Sequence, residues 1–115
     1  MENRRRFLRF EVKDFLEIRP LNEVAKYTKG QSFNLSIMGV CFFSEAKWET
    51  GQVLLIDYFM PQGLESVKLK VVVAWSELID NERGYLTGTQ IIDVEKEKES
   101  QFVNYYFQKL KEKFF

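Results

Sequence analysis

The sequence predicts a β-dominated domain that ends in a single helix. Three observations carry this. Short runs rich in Val, Ile, Leu, Phe and Tyr recur along most of the chain. Clusters of turn formers separate them, as in Thr28-Lys29-Gly30-Gln31-Ser32, Trp48-Glu49-Thr50-Gly51, Pro61-Gln62-Gly63 and Asp80-Asn81-Glu82-Arg83-Gly84. Beyond Asp93 the apolar period changes from two residues to that of a helix. Many short strands punctuated by turns read as a barrel or a sandwich.

The elements follow in order. Residues 1–9 form an irregular basic arm, flexible because only Met1, Phe7 and Leu8 are available to tie it down. From Phe10 the chain reads as strand, through Phe10-Glu11-Val12 and Phe15-Leu16-Glu17-Ile18, until Pro20 bounds it. Leu21 to Tyr27 reads as a second extended piece. The run around Phe33, then Gly39 to Ser44 and Gln52 to Met60, are further strands. Val67 to Ile79 carries the clearest alternation, with Val67, Leu69, Val71, Val73 and Trp75 on one face. Lys68 and Lys70 begin the other face, which turns apolar at Val72 and Ala74. Tyr85 to Ile92 is the last strand, so the β-region spans 10–92. Asp93 is a candidate helix cap, and a helix is expected over 95–114. Val103, Tyr106, Phe107, Leu110 and Phe114 recur at its period. Its apolar stripe packs on the sheet, while the Phe114-Phe115 terminus leaves self-association as a homodimer open.

Composition narrows the function. The chain has 115 residues, enough for one domain over 1–115 and not two. Hydrophobic residues make up 45% and aromatic residues 16%, which argues against disorder. Basic and acidic residues number 17 each, so broad electrostatic binding to a nucleic-acid polymer is not indicated. The same neutrality counts against a small barrel that holds single-stranded nucleic acid. There is no histidine, which removes Ser-His and Cys-His catalytic pairs and His-containing metal sites. The single Cys41 allows no disulfide and no thiolate metal cluster, and its apolar surroundings read as a buried small side chain. Glu95, Glu97 and Glu99 alternate with lysines as a solvated surface. No apolar run reaches membrane-spanning length and no signal peptide is visible, so membrane insertion is not expected and the protein reads as cytoplasmic. It reads as a binding module, not an enzyme, with no cofactor.

Two motifs carry the chemistry. In Arg4-Arg5-Arg6-Phe7-Leu8-Arg9, Arg5 and Arg9 stand at an RxxxR spacing with Arg4 directly in front. Four of the first nine residues are arginine and none is lysine. The guanidinium is a planar fork that pairs with phosphate or with the O6 and N7 edge of guanine, and it stacks on rings. A local positive site on a neutral chain suits a small anion. Asn34-Leu35-Ser36-Ile37-Met38-Gly39 follows, with short polar side chains that suit turns and exocyclic guanine groups. Its glycine supplies either a positive φ or a close backbone approach.

Together and in this order, the two motifs resemble the PilZ domain, the bacterial receptor module for cyclic di-GMP, over nearly the whole chain. The resemblance implies a six-stranded antiparallel β-barrel with a C-terminal helix. It implies that Arg5 and Arg9 hold guanine edges and phosphates, and that Asn34, Ser36 and Gly39 contact guanine. It places Arg4 where an arginine accompanies a stacked pair of ligands. Gly88, in Leu86-Thr87-Gly88-Thr89-Gln90, matches a glycine near the ligand in the last strand. Where the family often has Phe shortly after that glycine, this chain has Gln90-Ile91-Ile92. The expected function is a second-messenger receptor whose arm changes conformation on binding and signals to a downstream protein. The alternative is a protein-interaction adaptor with no nucleotide binding.

Overall fold

The structure, a computed structural model, describes residues 8–23, 27–61 and 65–114, with Glu65 described by its backbone alone. Its strands are β1 (Phe10–Glu11), β2 (Phe15–Pro20), β3 (Thr28–Ser36), β4 (Gly39–Ser44), β5 (Val53–Met60), β6 (Glu65–Asp80) and β7 (Gly84–Val94). A 3-10 turn over Lys96–Lys98 leads into the helix α1 (Glu99–Phe114). All pairings are antiparallel, and the order β2–β5–β6–β7–β4–β3 closes on itself through β2–β3. The result is a six-stranded barrel with β1 added beside the end of β3.

Period-two patterning selects what lies inside. Leu16 and Ile18 of β2, Val40 and Phe42 of β4, and Leu54, Ile56 and Tyr58 of β5 are buried, and so are Val67, Leu69, Val71 and Val73 of β6. Closing the sheet removes the unpaired edges that a flat sheet of these residues would expose. Phe102, Tyr105 and Tyr106 of α1 belong to the same core cluster. The interior of a closed barrel is reached only through a mouth, so α1 seals one end, with Phe102 edge-on to Tyr58 at 6.1 Å. No helix among the described residues is long and apolar enough to cross a membrane.

The seal is also polar. Asp14 is buried between β1 and β2, and its Oδ2 accepts the Tyr58 hydroxyl at 2.6 Å and the Tyr105 hydroxyl. Its backbone N–H donates to Ser32 Oγ at 2.8 Å, and Ser32 Oγ donates to the Val12 carbonyl at 2.7 Å. A buried carboxylate is tolerated only with such partners. Burial, followed by the adjacent Asp14 charge, drives the Tyr58 phenol far above its ordinary range. Burial and the Asp14 hydrogen bond raise Tyr105 in the same direction.

Several expectations change in detail. The run from Phe10 to Ile18 is two strands, because Val12 to Asp14 leave the ladder to make the Ser32 contacts. Leu21 and Asn22 form a turn, and residues 24–26 of the expected extended piece lie outside the described residues. Asp93 caps nothing. It belongs to β7, which runs on to Val94, and its Oδ1 accepts the Val94 N–H at 3.0 Å. The buried stripe of α1 is Phe102, Tyr105 and Tyr106, whereas Phe107 and Phe114 are exposed. The stripe is turned by one residue from the expected one because the tyrosine hydroxyls have partners inside. Trp75 leaves the Val67–Val73 face: Ala74 is an extra residue between the pairs Val73↔Thr89 and Trp75↔Gly88, a bulge that reverses the alternation.

Candidate ligand site

The site is built on the outer face of β3, β4, β7 and β6. Leu35 is fully buried, so its neighbour Asn34 faces outward. Asn34 pairs across with Cys41, Cys41 with Gly88, and Gly88 with Trp75. Paired residues in antiparallel strands point to the same face, so these four form one row across four strands. The bulge at Ala74 is what brings Trp75 into it.

Arg9 stands at the head of this row. Its Nη1 donates to Asn34 Oδ1 at 2.9 Å, an oriented, charge-assisted bond. Its other terminal nitrogen lies 3.2 Å from where a Cβ on Gly39 would stand. Gly39 does not have a positive φ; of the described glycines only Gly51 and Gly84 do. Its role is the close approach: a Cβ there would run into the Thr89 carbonyl of β7. Ser36 is buried, and its Oγ accepts the Met38 N–H at 3.0 Å. It braces the β3–β4 turn, paired with Gly39 and almost fully buried. Gly88 has the Trp75 indole lying across it, so close that any Cβ would strike the ring. Trp75 itself is 39% exposed.

The far end of the row is thus an exposed ring face, its middle is a floor of one thiol and one glycine, and its head is a guanidinium. Such an arrangement can stack a planar base on Trp75 and aim hydrogen-bond donors at phosphate or a guanine edge. Arg9, Asn34, Gly39 and Gly88 are brought to one face. Arg4 and Arg5, with the rest of the expected arm up to residue 7, lie outside the described residues. Trp75 is a site candidate that the two motifs do not contain, and the plain alternation of β6 would place it on the Val67–Val73 face.

A cleft of about 870 Å³ adjoins this face and holds none of the motif residues. Lys13, Lys29, Phe33, Phe43, Arg83 and Tyr85 are among those that line it. Phe33 meets Phe43 edge-on at 5.5 Å, and the Arg83 guanidinium lies 5.7 Å from the Phe43 ring centre. Arg83 is also committed to Asp80, its Nε donating at 2.9 Å. The backbone N–H and the guanidinium of Arg83 together hold the Asp80 carboxyl below its ordinary range.

The chain is thus a closed six-stranded barrel with a sealing helix and an arginine–asparagine–glycine group on its outer face. The family model for the PilZ domain matches residues 3–108, and the chain belongs to that family. No curated relative matches it by sequence. Among solved structures it is similar to the inhibitor of motility MotI/DgrA of Bacillus subtilis, with TM-score 0.76 and 14% identity. That match covers 99% of this chain and 55% of the other, so the chain spans about half of that protein's length. It is also similar to the PilZ domain of YcgR from Escherichia coli, solved with c-di-GMP, with TM-score 0.68 and 16% identity. There the match covers 96% of this chain and 94% of the other.

Proposed function

We propose that this chain is a cyclic di-GMP receptor, binding the dinucleotide on the outer-face row with Arg9, Asn34, Ser36, Gly39 and Gly88 and with Arg4 and Arg5 of the arm. The observation that carries the reading is Arg9 held on Asn34 over Gly39, at the head of a row that ends in Trp75. Family membership and the YcgR domain solved with c-di-GMP support it. Arg9 and the arm arginines engage phosphates and guanine edges, Asn34 meets exocyclic groups, and Trp75 supplies a ring for stacking. Ser36 acts by holding the turn that presents Asn34 and Gly39. Arg4 serves a second, stacked ligand. Ligand binding changes the conformation of the arm and so presents a new surface to a protein partner in the cytoplasm.

Of the two tryptophans, Trp48 is buried and Trp75 exposed, so intrinsic fluorescence reads the site. Cyclic di-GMP should change the emission of the wild-type protein and leave that of Trp75→Phe almost unchanged, while GMP at the same concentration does neither. An equal response in both proteins would remove Trp75 from the site.

A second reading rests on the exposed Phe107 and Phe114 of α1. Such rings suit a partner or a second copy of the chain, as an adaptor indifferent to nucleotide would need. A pull-down repeated with and without cyclic di-GMP separates the two readings.

A further inference from the structure

Arg9 lies on irregular backbone just ahead of β1. Backbone of that kind, carrying a long side chain, has many conformations to lose before the guanidinium can be held in one place. The β1–β3 ladder begins only at Phe10, paired with Leu35, and α1 adds a hold on both sides of Arg9. On one side of Arg9, the Leu8 carbonyl accepts the Tyr106 hydroxyl at 2.5 Å. On the other, the Phe10 ring stacks on the Tyr106 ring with centres 5.4 Å apart and planes 29° from parallel. One helix side chain therefore holds both chain neighbours of the motif arginine. The Leu8 side chain is 57% exposed, so the hold on that residue is through its backbone. Tyr106 is itself buried in the core, which makes it a fixed post. Tyr105, the preceding residue of the helix, holds Asp14 at the far end of the same segment.

We propose that Tyr106 is a positioning residue for the ligand site: it fixes the backbone on either side of Arg9 so that the guanidinium faces Asn34, and it ties ligand affinity to the docking of α1. This rests on the ligand reading above. Coupling of this kind is reciprocal, so a ligand that draws on Arg9 strengthens the seating of α1 by the same factor. The helix whose exposed side carries Phe107 and Phe114 then becomes the element that reports occupancy. Burial raises the Tyr106 phenol, and the Arg9 charge opposes that shift.

Tyr106→Phe keeps the ring stack and deletes only the hydroxyl. Calorimetric titration with cyclic di-GMP should show roughly two- to tenfold weaker binding than wild type. In an Arg9→Ala background the same change should leave the affinity where Arg9→Ala put it, because the hydroxyl acts through Arg9. A generally structural role would weaken both backgrounds equally, and such additivity overturns the proposal. If the wild-type protein binds no ligand, the ligand reading fails and amide exchange decides the positioning role separately. The Val12 amide, which donates to the Phe33 carbonyl at 3.1 Å, should then exchange faster in Tyr106→Phe while the β5 amides keep their rates. Equal Val12 rates in the two proteins overturn the proposal.

Discussion

A side chain at Gly39 has nowhere to go. A Cβ would meet the Thr89 carbonyl, which is backbone of β7 and cannot turn aside, and would crowd the Arg9 guanidinium from 3.2 Å. Gly39→Ala should therefore cost about 1–3 kcal/mol in stability from overpacking, read as a lower urea midpoint, and should weaken ligand binding as well. An unchanged midpoint would show that the β3–β4 turn yields more easily than the contact implies. The motif glycine was legible in the sequence as either a positive φ or a close approach. Only the packed neighbour, fifty residues away in the chain, decides between them. Ser36 illustrates the same limit. Its place in the motif was clear, but its use as the acceptor for the Met38 N–H follows from the turn that Ser36 and Gly39 bracket. Cys41 is the small buried side chain that its apolar surroundings predict. That it floors the row between Asn34 and Gly88 comes from strand register.

The elements were legible wherever one period held along their length. β5 and the first half of β6 alternate as their residues predict. Trp75 does not, because a single extra residue, Ala74, reverses inside and outside, and nothing in Val71-Val72-Val73-Ala74-Trp75 marks a bulge. The helix is visible in the sequence, but its inward face lies one residue from the expected one, because a tyrosine with a buried partner for its hydroxyl outcompetes a phenylalanine for the interior. That partner, Asp14, is the device joining β5, the β1–β2 connection and α1. It gives the fold a dependence on alkaline pH. In the unfolded chain Tyr58 loses its proton near its ordinary value of 10.0, whereas in the fold burial and Asp14 keep it protonated well above that. The unfolded state thus binds fewer protons above pH 10, so stability is intact below that pH and falls as pH rises through it, by about 1.4 kcal/mol per pH unit for each such tyrosine. Urea midpoints measured from pH 8 to 11 should show this fall, and Tyr58→Phe should lessen its slope. A slope unchanged by Tyr58→Phe would mean that the phenol titrates alike in both states.

At the scale of the whole molecule, a neutral chain without histidine carries a local cluster of arginines, as the proposed binding of a small anion requires. The barrel supplies a rigid outer face, the row from Arg9 to Trp75 lies across four of its strands, and α1 seals the mouth while holding the segment that carries Arg9. The family was legible because its two motifs are short, ordered and intact. The contribution of the helix to the site was not, since it joins residues 98 positions apart through one hydroxyl. Cyclic di-GMP binding through Arg9 is the central proposal. The decisive measurement is a calorimetric titration of the wild-type protein and Arg9→Ala, run side by side at low and at physiological salt. The account predicts saturable wild-type binding that weakens with salt, since the ligand is a dianion, and a stoichiometry near two if Arg4 serves a stacked pair. Losing the charge-assisted Arg9 contact should cost about 1.5–3 kcal/mol, or roughly ten- to a hundredfold in affinity. No heat and no shift in melting temperature with the wild-type protein, or equal affinity in Arg9→Ala, would contradict it.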